Sequence, residues 1–163
     1  MGKYIVVTGG QFANKGAQAM TFITADEIAK RWPDCEMVYL GRVCADLKSN
    51  LCMKALSVSI KQQMRLLIPG FFPFGYYWTR ELRELNYVFK NCEAVIDISG
   101  YALGSNWNNT GALAFIINRL MLPKKYDVPV YLMPQSFGPF NFRGRYSSVA
   151  SQIPDWSWTL SPI

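Results

Sequence analysis

Short, continuous apolar runs alternate along this chain with longer segments of helical period. Residues 3–9 form the first run, bounded by Gly9-Gly10, and read as a buried strand. Residues 16–32 read as a helix, with Phe22, Ala25, Ala29 and Trp32 on one face and Asp26, Glu27, Lys30 and Arg31 on the other. Pro33 closes it. A second strand, Cys35 to Leu40, ends at Gly41. Residues 45–67 are mixed: a short helix near 45–50, a strand near 56–60, then a helical turn. Residues 79–91 return to helical period, with Leu82, Leu85, Val88 and Phe89 at core spacing. A strand at 94–99, a Gly/Asn-rich turn at 100–111, a helix at 112–122 carrying Leu113, Ile116, Ile117 and Leu120, and a strand at 129–133 complete the series.

This β-α-β-(α)-α-β-α-β order predicts right-handed crossovers and an α/β fold, a Rossmann-like open parallel sheet. Residues 1–150 are expected to form that domain, and 151–163 an irregular tail. Residues 145–153 could begin another helix, yet Pro154 to Ile163 carries no turn, cap or period that finishes a domain. The architecture is therefore expected to be truncated. Residues 68–78 stand apart, with six aromatics, two prolines and two glycines in eleven positions. Such a loop can line a sugar site, touch a membrane interface, or fill a gap against neighbouring helices.

Composition narrows the chemistry. At 163 residues the chain is one domain's length, and half of it is hydrophobic, too apolar for disorder. The formal net charge of +6 suits an anionic partner, or simply a solvated basic surface. Lys and Arg are scattered, with no run longer than Lys124-Lys125, so nucleic acid is not an expected partner. Histidine is absent, which removes a His general base, a His metal ligand and a Ser-His-Asp triad. Cys35, Cys44, Cys52 and Cys92 lack C-x-x-C spacing, so reduced thiols are expected and a zinc site is not. Met1-Gly-Lys3 leads straight into a strand, and no apolar run approaches bilayer length, so the expected location is the cytoplasm. Asn108-Asn-Thr110 fits a glycosylation sequon but is read as chance in that setting.

Three strands deliver small or polar residues to their C-terminal ends, where an open α/β sheet binds ligands. Gly9-Gly10 followed by Gly16 resembles an anion-cradling turn at a helix start, but neither G-x-G-x-x-G nor a P-loop pattern is present. Asn14 and Gln18 have the chemistry to hydrogen-bond a hydroxylated ligand; Asn14 equally fits a helix cap. Asp97 lies inside an apolar strand, where a carboxylate needs a partner. It either orients or deprotonates a substrate hydroxyl, or ties neighbouring backbone N–H groups and holds a loop. Ser99-Gly100-Tyr101 continues that turn, with Gly100 permitting close backbone approach. Gln135 and Ser136 follow the last strand between Pro134 and Pro139, which stiffen the turn. With no G-x-S-x-G elbow, Ser136 is read as a hydrogen-bonding residue rather than a nucleophile.

Taken together, Asn14-Lys-Gly-Ala-Gln-Ala-Met20, Asp97-Ile-Ser-Gly-Tyr-Ala-Leu103 and Pro134-Gln-Ser-Phe-Gly-Pro-Phe140 resemble the N-terminal half of the polysaccharide pyruvyl transferase family. The resemblance covers residues 3 to about 145. It implies two Rossmann-like domains facing across a cleft, as in GT-B glycosyltransferases, of which this chain is the first. It implies transfer of pyruvyl from phosphoenolpyruvate to sugar hydroxyls of an exopolysaccharide or cell-wall polymer, or a lipid-linked precursor. No cofactor or metal is expected for this chain. The Arg and His groups that hold phosphoenolpyruvate would lie in the other domain; this chain departs from a complete enzyme in having no His.

The substrate-binding positions expected here are Gly10, Asn14, Gly16, Gln18, Ser99, Gly100, Gln135, Ser136 and Gly138, with Asp97 the acid–base candidate. Two other classes stay open from the residues alone. One is a non-catalytic module that binds an anionic glycan or nucleotide. The other is an accessory protein docked at the inner face of the membrane through the aromatic loop and basic surface.

Overall fold

Strands buried on both faces read as unbroken apolar runs, because no side of the pleat meets water. That is the case for β1 (Lys3–Thr8) and β2 (Cys35–Leu40), each with its last four residues buried. A computed structural model describes residues 3–10, 14–41, 53–67, 79–99 and 117–133. Five strands form one sheet in the order β3-β2-β1-β4-β5, where β3 is Lys54–Leu56, β4 is Cys92–Asp97 and β5 is Val130–Leu132. Every pairing is parallel. This is a Rossmann-like α/β fold, with the strand order reversing between β1 and β4.

The pleat sends alternate residues to two cores. On one face Val6, Val38, Leu40 and Val95 meet helices α2 (Ile60–Leu67), α3 (Arg80–Lys90) and α4 (Leu122–Lys125), through Leu66, Leu82, Leu85, Val88, Phe89 and Leu122. Phe89 also stacks on Tyr126, ring centroids 5.5 Å apart. On the other face Ile5, Val7, Met37, Tyr39 and Ile96 meet α1 (Lys15–Arg31) through Ala25 and Ile28. The right-handed crossover rule accounts for the split, since connections running in opposite directions along the sheet place their helices on opposite faces.

Four sequence expectations need correction. The buried face of α1 is Thr21, Ala25 and Ile28, with Phe22 partly buried, while Ala29 and Trp32 are exposed. Trp32 is the C-cap, with φ −130° and ψ 66°, so it has left the helical face before Pro33. The strand expected near 56–60 is β3, which starts two residues earlier, at Lys54, and ends at Leu56, and Ile60 already begins α2. A capping box sets that boundary: Ser59 N donates to Gln62 Oε1 at 3.0 Å, and Gln62 N donates to Ser59 Oγ at 3.3 Å. Strand β4 begins at Cys92 rather than 94 and ends at Asp97. Finally, 117–121 is a π-helical turn leading into α4, and Pro123 sits in the first turn of α4, where its missing N–H costs nothing.

Among the described residues no helix is long and apolar enough to cross a membrane. Cys35 and Cys92 are free thiols. The aromatic loop 68–78, the 45–50 helix, the 100–111 turn with its sequon, Cys44, Cys52 and everything after Met133 lie outside the described residues.

Candidate site at the strand-order switch point

An open parallel sheet presents its ligand-binding edge where neighbouring strands send their connections to opposite faces. Here that point lies between β1 and β4, and the residues leaving those strands are Gly9, Gly10, Ile98 and Ser99. The two exits are tied by the Ile98 N–H, which donates to the Thr8 carbonyl at 2.9 Å, and β5 joins them as Met133 N donates to the Asp97 carbonyl at 2.9 Å. The segments that follow β1, β4 and β5 therefore leave three adjacent parallel strands on one edge of the sheet.

Gly9 has φ +92°, a conformation that side chains disfavour. A Cβ on Gly9 would lie 2.7 Å from the Ser99 nitrogen and 2.8 Å from Asp97 Oδ1, so the β1 exit can pass the β4 turn only as glycine. At Gly10 a Cβ would collide with Thr21 Oγ1 of α1 and approach Tyr39 Oη at 3.3 Å. Thr21 is fully buried and donates to the Ala17 carbonyl at 2.8 Å. Close packing of the loop on α1 thus explains Gly10 without any ligand. Gly10→Ala is expected to cost about 1–3 kcal/mol through overpacking. Adding Thr21→Ala should recover much of that loss, because the remaining contacts are 3.3 Å or longer. Additive losses in a denaturant-unfolding cycle would contradict this reading.

Asn14 caps α1: its Oδ1 accepts from Gly16 N at 2.9 Å and from Ala17 N at 3.4 Å. The cap occupies the donors that an anion at this helix start would use. Gly16 meets nothing tighter than ordinary contact, its virtual Cβ lying 3.4 Å from Asn14 Oδ1. Gln18 is half-buried on the same first turns and bonds the Asn14 carbonyl only through its backbone N–H.

Asp97 is fully buried. Its Oδ1 accepts the Ser99 N–H at 2.7 Å, and its Oδ2 lies 2.9 Å from Arg119 Nε. The second contact is an off-axis charge pairing rather than an aligned hydrogen bond. Arg119 comes from the π-helical turn in the β4–β5 crossover, its side chain 16% exposed. Burial holds its guanidinium below the ordinary value, with Asp97 and then Tyr39 opposing that shift; it stays a cation.

Arg119 was not anticipated from the sequence. The available signal was a single cation in the apolar run 112–122, which needs a buried counter-charge as much as Asp97 does. Tyr39 was likewise passed over as a strand residue. Its hydroxyl, at the end of β2, donates to the Gly10 carbonyl.

Burial pushes the Tyr39 phenol up to about 12, against an opposing pull from Arg119, and pushes the Cys92 thiol up to about 11. Both groups are neutral when protonated, so the fold favours their protonated forms. Their contribution is complete below the ordinary values of 9.0 for the thiol and 10.0 for the phenol, and is lost as pH rises through 11 and 12. Unfolding midpoints should therefore fall between pH 9 and 12, and Tyr39→Phe should flatten the upper part of that fall. A pH-independent midpoint across this window would contradict the burial of these groups.

The structure brings Gly10, Asp97 and Ser99 together at the switch point, and sets Asn14, Gly16 and Gln18 on the first turn of α1. Gly100, Gln135, Ser136 and Gly138 lie outside the described residues. No cluster of metal-ligating side chains occurs among the described residues. Comparison with protein-family models, with curated proteins and with solved structures finds no match to this chain.

Proposed function

We propose that this chain is the acceptor-side domain of a polysaccharide pyruvyl transferase, the half that presents sugar hydroxyls for pyruvyl transfer from phosphoenolpyruvate. One observation carries the reading: the three segments that resemble the family follow β1, β4 and β5, which are adjacent and parallel. Residues distant in sequence thereby leave the sheet on one edge. Hydroxyl recognition falls to Gln18, Ser99, Gln135, Ser136 and the amide of Asn14, with Gly10, Gly16, Gly100 and Gly138 giving the sugar access to backbone. By the family resemblance, a second domain in the GT-B manner would supply the Arg and His groups that hold phosphoenolpyruvate; this chain contains no His.

The test is calorimetric titration of the protein with acidic and neutral oligosaccharides. Saturable binding is expected, and Gln18→Ala should weaken it about 3- to 10-fold, the value of one hydrogen bond. Oligosaccharides that never bind, at any charge or length tried, would remove the reading.

A second reading has its own support. Asp97 is fully buried and both its oxygens are engaged, which favours a structural task over proton transfer to a sugar. On that reading the domain is a non-catalytic module that binds an anionic glycan or nucleotide. Phosphate release from phosphoenolpyruvate, measured with a phosphoenolpyruvate-binding second domain supplied in trans, separates the two. Transfer gives acceptor-dependent phosphate and a ketal methyl resonance on the sugar, whereas the module binds saccharide and leaves phosphoenolpyruvate intact.

A further inference from the structure

We infer that Arg119 is a positioning residue of the switch point: through the Asp97 carboxylate it fixes the Ser99 N–H and so the turn that leaves β4. Its relevance to saccharide rests on the acceptor-site reading above, because that turn is where β4 would meet the sugar.

Both ends of the ion pair are anchored before the charges meet. Leu120 and Leu122 follow the arginine at 3% and 0% exposure, and Leu122 belongs to the core beneath α2 and α3. Arg119 lies in the middle of the π-helical turn, a conformation that recurs at functional sites. Asp97 is held from both sides, in register with Thr8 on β1 and with Leu132 on β5. With both backbones fixed, the remaining freedom is the rotation of the carboxylate and the path of the turn after it.

Arg119 removes that freedom. Its Nε stands 2.9 Å from Oδ2, which turns Oδ1 toward the Ser99 N–H at 2.7 Å, the short distance of a charge-assisted bond. Gly9 is packed against the same two atoms, since a Cβ there would meet both the Ser99 nitrogen and Asp97 Oδ1. The exits of β1 and β4 are therefore interlocked at the point where the carboxylate is aimed. Without the cation beside Oδ2 nothing holds the carboxylate's rotation, and the Ser99 bond would loosen. The pairing is electrostatic, so the carboxylate's rotation follows where the cation sits, and a lysine ammonium would place its charge at a different point from the guanidinium.

The experiment uses the full chain labelled with nitrogen-15 and reads the Ser99 amide, with the Val6 and Val95 amides as references in the sheet centre. In Arg119→Met the Ser99 resonance should move and its hydrogen exchange should quicken about tenfold relative to those references, the loss expected for one charge-assisted bond. Arg119→Lys keeps the charge and not the geometry, so it should recover melting temperature while leaving Ser99 displaced.

If the methionine variant does not fold, the lysine variant decides alone. A Ser99 signal at its original position in either folded variant overturns the inference. A displaced Ser99 signal in a protein that binds no saccharide in any form supports the positioning role and sinks the acceptor reading, so the two failures are distinguishable.

Discussion

Replacing Asp97 with alanine is expected to destabilise the protein by about 3–5 kcal/mol, because it strands a buried arginine without its counter-charge. The side chain lost is fully buried and sits 2.9 Å from Arg119 Nε, with Arg119 itself only 16% exposed. The guanidinium can neither reach water easily nor shed its proton. Removing both charges should be far gentler. Asp97→Ala combined with Arg119→Met leaves no buried ion, so the coupling between the two sites should appear as a non-additivity of about 0.5–3 kcal/mol. Urea unfolding of the four proteins measures it. Additive single losses would mean that the two groups do not interact, in conflict with the geometry described.

Gly9→Val is the second large effect. A left-handed backbone costs a side chain about 1–2 kcal/mol, and overpacking adds about 1–3 kcal/mol. At φ +92° and with a virtual Cβ 2.7 Å from the Ser99 nitrogen, both costs apply, and the obstacle is backbone that cannot rotate away. A loss of about 3 kcal/mol lowers the melting temperature by ~6–12 °C in a chain of this size. Gly16→Ala is the control: its virtual Cβ makes only an ordinary 3.4 Å contact, so its melting temperature should stay near that of the parent. Equal melting temperatures for Gly9→Val and Gly16→Ala would contradict the packing at the β1 exit.

These expectations also show what the chain's pattern could and could not convey. The strands were legible because a doubly covered parallel sheet needs continuous apolar runs, and β1, β2, β4 and β5 supply them. The burial of Leu82, Leu85, Val88 and Phe89 was legible from helical spacing, and their Thr79 cap holds the helix start by accepting from Leu82 N at 3.2 Å. The face of α1 was not, because this helix carries apolar residues around much of its circumference: Met20 and Ile23 are exposed at 41% and 63%. Only the contact with the sheet selects Thr21, Ala25 and Ile28.

At the site, Asp97 stood out as the one charge in the apolar run 94–99, but its partner lies across a crossover whose path a single sequence does not reveal. Arg119 carried the matching signal, a lone cation among apolar residues, and pairing two such misfits would have predicted an ion pair between them. The packing roles of Gly9 and Gly10 were hidden for a different reason. Glycines after a strand read as room for a ligand, whereas on the side where a Cβ would project Ser99 and Thr21 lie in the way.

The most direct test of the acceptor-site account is an amide chemical-shift map of the protein titrated with an acidic oligosaccharide. The account predicts perturbations at Gly10, Gln18, Ser99 and Met133, on the edge where β1, β4 and β5 end, with the sheet's opposite edge at Tyr4, Cys35 and Cys92 silent. Perturbations confined to that opposite edge, or none at saturating saccharide, would contradict it.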